Sequence, residues 1–278
     1  MKLTQEKCTI LKDMQFVPFL ERQSMINSAD VHPLDSIRYT KTQTVVIDQD
    51  VLRNNRVIMG LYNDPRADIF RVLRTNILRQ LRENTWNSFA ITSSTLGAGK
   101  TFISVNLAIA IAMEGNQSVL IVDADLRSPK VGQCLGLQCE FGLIDYLKSD
   151  ISLEDTLINP GIERLVVLPG KDCNNNSSEL ISSRKMVNLI KEIKSHYESR
   201  IIIFDLPPLF AGNDALVFMS YVDAALLVVE DGKNTTDELQ HSMHILEQTN
   251  LLGLVLNKSR QQISAYQYGR VSEDSQNC

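Results

Sequence analysis

The sequence predicts a doubly wound α/β domain with a mainly parallel sheet, and three observations carry that prediction. Short, largely apolar runs recur at Phe89–Thr92, Val119–Val122 and Ile201–Phe204, the pattern of strands covered on both faces. Each run ends in a segment carrying glycine, aspartate or proline, and such sheets present ligands at the carboxyl ends of their strands. Between the runs lie longer stretches of helical periodicity.

Taken in chain order, residues 1–60 lack strong periodicity and read as a loosely folded extension with one short helix and a strand at Thr44–Ile47. The main domain is expected over 61–260 and a polar tail over 261–278. Asp64 is placed to cap a helix and Pro65 to occupy its first position. In that helix Ile69, Leu73, Ile77 and Leu81 form the expected core stripe, while Asp68, Arg71 and Arg74 line another face at three-residue spacing.

Phe89–Thr92 leads into Ser94-Thr-Leu-Gly-Ala-Gly-Lys-Thr101, and Phe102–Met113 then reads as a buried helix. This is the order strand, phosphate-binding loop, helix. Successive backbone N–H groups of such a loop wrap phosphates, the lysine neutralises their charge and the hydroxyl ligates magnesium. Ser94 stands where the usual pattern has its first glycine. The next strand, Val119–Val122, delivers Asp123 and Asp125 to its carboxyl end, two carboxylates on one face, suited to a magnesium-bound water and a proton acceptor. Ile201–Phe204 repeats the design, ending in Asp205, the expected Walker B carboxylate, before two prolines force an extended exit.

Leu165–Leu168, Asp223–Val229 and Leu252–Leu256 complete the predicted strands, with helices over Ser178–Tyr197 and Thr235–Asn250. His241 and His244 share a helix face, but no third ligand lies near in sequence and they read as solvated. Cys134 and Cys139 read as packing residues.

Three separated blocks, the loop lacking its first glycine, the strand ending Asp-x-Asp-x-Arg and the strand ending Asp-x-Pro-Pro, together resemble the bacterial tyrosine kinases of polysaccharide export. These are P-loop kinases related to the MinD and ParA ATPases, and the resemblance runs from about Asp64 to Lys258. Relatives of the partitioning type carry a second lysine where this chain has Thr95, which favours the kinase branch. The resemblance implies ATP and magnesium as cofactors, with Thr95, Leu96, Gly97, Ala98, Gly99, Lys100, Thr101 and Phe102 around the phosphates. Thr101, Asp123 and Asp205 would position the metal, Asp123 would take the tyrosine proton with Asp125 assisting, and Arg127 would stabilise the transferring phosphoryl group. Asn257 stands where relatives read the adenine edge, or else simply caps its strand.

The family also carries Glu-x-x-Arg-x-x-Arg in its first helix, which joins subunits into a ring. Here it reads Asp68-x-x-Arg71-x-x-Arg74. Its terminal tyrosine cluster is reduced to Tyr266 and Tyr268, the expected phospho-acceptors. Implied partners are further copies of the chain, the cytoplasmic tail of a membrane polysaccharide chain-length regulator and a tyrosine phosphatase. The expected function is a tyrosine autokinase controlling exopolysaccharide or capsule chain length and export. The alternative is an ATP-driven switch that assembles with the membrane partner without tyrosine transfer. The N-terminal extension resembles that of the exosortase-associated branch.

Composition agrees with this reading. The 278 residues, 44% hydrophobic and 22% charged, suffice for one core of about 200 residues with extensions. A net charge of −5 with scattered basic residues argues against nucleic acid as a partner. Five cysteines without a CxxC pair indicate neither a disulfide framework nor a zinc cluster. With no secretory pattern and no apolar run of about 20 residues, the expected location is cytoplasmic, peripheral at the inner membrane through a partner.

Overall fold

The computed structural model describes residues 42–61, 64, 66–171, 177–195 and 199–259. Strand β1 (Gln43–Thr44) and helix α1 (Gln49–Asn54) precede the long helix α2 (Ala67–Glu83), then come β2 (Ser88–Ser93), α3 (Lys100–Ala112) and β3 (Ser118–Asp123). Three short helices follow, α4 (Val131–Cys134), α5 (Leu143–Lys148) and α6 (Leu153–Thr156), and then β4 (Ile158–Asn159) and β5 (Leu165–Leu168). The chain continues through α7 (Ser177–Ile181), α8 (Arg184–Ser195), β6 (Arg200–Asp205) and α9 (Asp214–Met219). It closes on β7 (Ala224–Glu230), α10 (Thr236–Ile245) and β8 (Asn250–Asn257).

The strands form one sheet in the order β1-β4-β5-β3-β6-β2-β7-β8. Every pairing is parallel except β4 with β5. The doubly wound prediction is therefore met, and β2 lies at the centre between β6 and β7.

The period-two alternation of each strand feeds two cores. Phe89, Ile91, Val119, Ile121, Ile201 and Ile203 point to the side of α2 and α3, whereas Ala90, Leu120, Val122, Ile202 and Phe204 point to the side of α5, α8 and α9. Helix α3 is apolar around most of its circumference because it is enclosed. Its one amide, Asn106, is fully buried and satisfied: it accepts from Met59 N at 3.0 Å and donates to Phe102 O at 2.9 Å and Arg56 O at 3.3 Å.

Three expectations about the helices are corrected here. Ile69 is 51% exposed, and Phe70 and Leu78 take its place in the core beside Leu73, Ile77 and Leu81. Positions spaced by four drift about 40° per step around a helix of 3.6 residues per turn, so Ile69 has swung off the face the later members define. Asp64 accepts from Arg66 N at 2.9 Å, but the regular helix begins only at Ala67. The helix predicted over Ser178–Tyr197 is broken between Ile181 and Arg184. There the Ser182 hydroxyl returns to Ser178 O at 2.8 Å and Ser183 Oγ accepts from Met186 N at 3.2 Å, restarting the helix in the manner of an N-cap.

Nor is the segment up to residue 60 loose throughout. Leu52, Val57, Ile58 and Met59 are buried in the α2–α3 core, and Asn55 Nδ2 donates to Gln133 O and Cys134 O at 3.1 and 3.0 Å. The strand expected at Thr44–Ile47 shrinks to Gln43–Thr44, with Val46 88% exposed. At the other end, α10 stops at Ile245 before a short 3-10 turn, and its start is fixed by the Thr235–Glu238 capping box. Among the described residues no helix is long and apolar enough to cross a membrane.

Candidate active site

The site lies where the central strands end. The chain leaves β2 at Ser93, turns through residues 94–99 and enters α3 at Lys100. Gly97 and Gly99 have φ of +83° and +92°, a region that L side chains rarely adopt. Ser94 is not among the positive-φ residues, so the missing first glycine is tolerated, and its hydroxyl shares a 2.8 Å hydrogen bond with Ser242 of α10. Thr95 Oγ1 accepts from Asn234 Nδ2 at 3.3 Å.

Lys100 is buried among acids. Its Nζ lies 2.8 Å from Asp125 Oδ2 and 3.5 Å from Asp205 Oδ2. Burial opposes its charge, but Asp205 and Asp125 outweigh that and leave its pKa raised. Thr101 Oγ1 donates to Asp205 Oδ2 at 2.6 Å and Ser104 Oγ to Asp205 Oδ1 at 2.9 Å. The register explains the convergence: Asp123 and Asp205 are directly paired at the ends of β3 and β6, next to the strand that feeds the loop.

Asp123 is fully buried. Its Oδ2 accepts from Val131 N at 2.8 Å, while Oδ1 has no partner. Burial, and next the charge of Asp205, push its pKa up to about 8. An orphaned buried carboxylate oxygen is rare in folded proteins and fits a site that completes itself around a ligand. The donor set agrees with a magnesium nucleotide. Magnesium uses one or two carboxylates and takes its remaining oxygens from phosphates and water, and among the described residues there is no group of three or more His, Cys, Asp or Glu able to cage a metal.

The structure thus gathers Thr95, Leu96, Gly97, Ala98, Gly99, Lys100, Thr101, Asp123, Asp125 and Asp205 at one place. Other expected members lie elsewhere. The Phe102 ring packs edge-on against Phe70 at 5.6 Å, within the α2–α3 core. Arg127 is turned to Asp214, with Nε 2.8 Å and Nη2 3.1 Å from its carboxylate and Nη1 donating to Ala211 O at 3.2 Å. Its guanidinium therefore clamps α9 and the preceding turn, where Gly212 leaves room: a Cβ there would stand 3.0 Å from Arg127 Nη2. Asp214 is buried and also accepts from Ser177 and Ser178. Arg127→Ala leaves that carboxylate with hydroxyl partners only and is expected to destabilise the fold by about 2 kcal/mol, measured by urea unfolding. A loss of no more than about 0.3 kcal/mol would contradict the clamp.

Asn257 donates to Ala98 O at 2.8 Å, and a Cβ on Gly99 would lie 2.2 Å from its Nδ2. It braces the 94–101 loop, a contact expected neither of a reader of the adenine edge nor of a strand cap. Asp68 and Arg71 pair with each other on α2. Arg74 is drawn instead to the carboxyl end of α3, donating to Ala110 O at 3.0 Å and standing 3.6 Å from Glu114. Tyr266 and Tyr268 lie outside the described residues. His241 packs against Phe210 and His244 pairs with Glu247 at 3.1 Å. The Cys134 thiol is pushed up to about 11 by burial and Cys139 is raised for the same cause, which makes both unreactive as nucleophiles.

Sequence reasoning missed Ser104, Asn234 and Asp214. Ser104 had a signal, since it sits one turn beyond Lys100 and Thr101 on a helix. Asp214 had none, being a single acid in a loop-to-helix junction.

Comparison with known proteins decides the family. Residues 86–250 match the AAA_31 family, described as an AAA domain. The chain is 32% identical over 203 residues to the putative tyrosine-protein kinase CapB of Staphylococcus aureus, covering 71% of this chain and 88% of that protein. The chain belongs to the bacterial tyrosine kinases. It superposes on the solved kinase domain of Escherichia coli tyrosine kinase ETK with a TM-score of 0.67 at 30% identity, covering 82% of this chain and 94% of that one. Against the full-length E. coli etk protein the match is 35% over 208 residues, so this tyrosine-kinase chain spans 28% of that relative's length. The septum site-determining protein MinD of Pyrococcus horikoshii, solved with Mg-ADP, shares the fold at a TM-score of 0.53 and 26% identity, over 63% of this chain and 72% of that one.

Proposed function

We propose that the protein is an ATP- and magnesium-dependent tyrosine autokinase regulating exopolysaccharide or capsule chain length and export. The observation that carries this is the convergence of Lys100, Thr101, Asp125 and Asp205 beside the unpartnered oxygen of Asp123. Thr101, Asp205 and Asp123 would hold the cation, which when bound polarises and neutralises the transferring phosphoryl group.

The protein's own groups divide the remaining work. The loop amides and Lys100 orient the β and γ phosphates, and for this Lys100 exchanges its carboxylate partners for phosphate oxygens. Asp125 and Asp205 hold the lysine extended towards the phosphates until then. Asp123 takes the phenolic proton as the tyrosine oxygen bonds to phosphorus and the bond to the leaving diphosphate breaks. Asp123 accepts that proton only in its ionised form, which the cation beside it would favour over the protonated form that burial favours.

The acceptors are Tyr266 and Tyr268 on a neighbouring copy, with self-association through the face of α2 that carries Asp68 and Arg71. The membrane partner is the cytoplasmic tail of a polysaccharide chain-length regulator, and a tyrosine phosphatase resets the protein. Changing both tyrosines to phenylalanine is expected to remove tyrosine-bound label while ATP affinity stays unchanged. Undiminished label, mapped by mass spectrometry to other tyrosines, overturns the assignment of the acceptors. Phosphate release with no label on either form favours the ATP-driven switch.

A further inference from the structure

The phosphate loop is flanked on one side by β6 and β3, whose carboxylates hold Lys100, and on the other by β7. The connection from β7 to α10 carries Lys233, a residue to which the scheme above gives no part. Its Nζ donates to Leu96 O at 3.3 Å, and a Cβ built on Gly97 would lie 3.7 Å from that nitrogen. The ammonium therefore stands directly over two residues of the loop. The following residue is tied down as well: Asn234 accepts from Glu230 N at 3.1 Å and donates to Thr95 Oγ1 at 3.3 Å and Glu238 Oε2 at 3.2 Å. Lys233 is thus delivered by a turn fastened to the loop itself.

Its counter-ion keeps it near and replaceable. Lys233 Nζ lies 3.2 Å from Glu230 Oε2, while Glu230 Oε1 is held by Lys258 at 3.1 Å. Two ammonium groups share the one Glu230 carboxylate, so Lys233 has only a divided claim on it. The Lys233 side chain is 52% exposed, and an exposed lysine exchanges partners at little cost. If Lys233 turns to an anion, Glu230 retains Lys258.

From this arrangement we infer that Lys233 is a second cation of the nucleotide site, contacting the polyphosphate from the β7 side while Lys100 contacts it from the β6 side. This rests on the nucleotide reading of the loop and extends it. The chain lacks a lysine at position 95, and Lys233, reaching in from another loop, supplies a positive charge beside Thr95 and Leu96 without a partner subunit. Glu230 acts as the holder that Lys233 leaves when phosphate enters.

The test is titration of the full chain with a fluorescent ribose-modified ATP, for the native protein, Lys233→Met, Lys233→Arg and Lys100→Met, with inorganic triphosphate as competitor. Loss of one charge-assisted contact is expected to weaken ATP binding roughly tenfold in Lys233→Met, and to weaken displacement by triphosphate by about the same factor. Lys233→Arg should bind within about threefold of native, because the charge is kept. The thermal midpoint of the nucleotide-free Met variant should match native, since the lysine it removes is exposed. Native-like ATP affinity in Lys233→Met overturns the inference. So does weaker ATP binding with unchanged triphosphate displacement, which would place Lys233 at the base or ribose. A native chain that binds no ATP removes the nucleotide reading itself, whereas binding lost in Lys100→Met but kept in Lys233→Met removes only the role of Lys233.

Discussion

Replacing Lys100 with methionine is expected to lower tyrosine labelling by at least about 10³-fold while the circular dichroism spectrum stays native. The size follows from the role, since cationic groups that meet developing charge in phosphoryl transfer are worth factors of this order. The structure adds a second consequence. Lys100 is buried with Asp125 at 2.8 Å and Asp205 at 3.5 Å, and Asp123 lies in the same cluster. Lys100 lowers the pKa of the buried Asp123, so without the cation that carboxyl holds its proton more firmly. The methionine variant should therefore lose more thermal stability at about pH 8 than at about pH 6, because holding that proton against the solvent costs more as pH rises. Labelling within about tenfold of native would remove Lys100 from the mechanism.

Asp123→Asn carries the second large effect, and its two readouts move in opposite directions. In the proposed role of acceptor for the phenolic proton, Asp123 would contribute on the order of 10²- to 10⁴-fold to transfer, and the amide removes that. In the nucleotide-free fold, however, the native carboxyl is a liability. Burial and the neighbouring Asp205 hold it protonated up to about pH 8, whereas in the unfolded chain it ionises near pH 4. Between those values the folded state binds a proton that the unfolded state has released, so stability falls as pH rises across this window. Asparagine cannot titrate. The variant should gain thermal stability relative to native as pH is raised from about 4 to about 8, while losing activity. Parallel melting curves across that range, or a variant that keeps transfer at the native rate, would contradict the assignment.

Much of this was legible in the sequence because the strongest signals are local and repeated. Uninterrupted apolar runs such as Val119–Val122 can belong only to strands covered on both faces or to buried helix, and the acids directly after them point to the ligand side of the sheet. The pairing of Asp123 with Asp205 across β3 and β6 follows once those strands are adjacent. What could not be read depended on partners far along the chain. Arg127 has the spacing of a phosphate contact, but Asp214 competes for it through a bidentate ion pair. Asn257 ends a strand in the position of a base reader, yet the loop carbonyl of Ala98 takes its donor. Arg74 keeps three-residue spacing with Arg71 but meets the carbonyl end of α3 instead of sharing its neighbour's surroundings. Leu52 and Val57 to Met59 join the core although no periodicity announces them, because short irregular segments bury side chains singly and not along a face.

The central claim is that this loop and these carboxylates transfer the γ-phosphoryl group of ATP to tyrosine. The most direct measurement incubates the native chain and Lys100→Met with magnesium and γ-labelled ATP, and follows released phosphate and tyrosine-bound label in the same sample by mass spectrometry. The account predicts label on Tyr266 or Tyr268 in the native chain and none in the variant. Equal label in both, or phosphate release by the native chain with no labelled tyrosine, would contradict it.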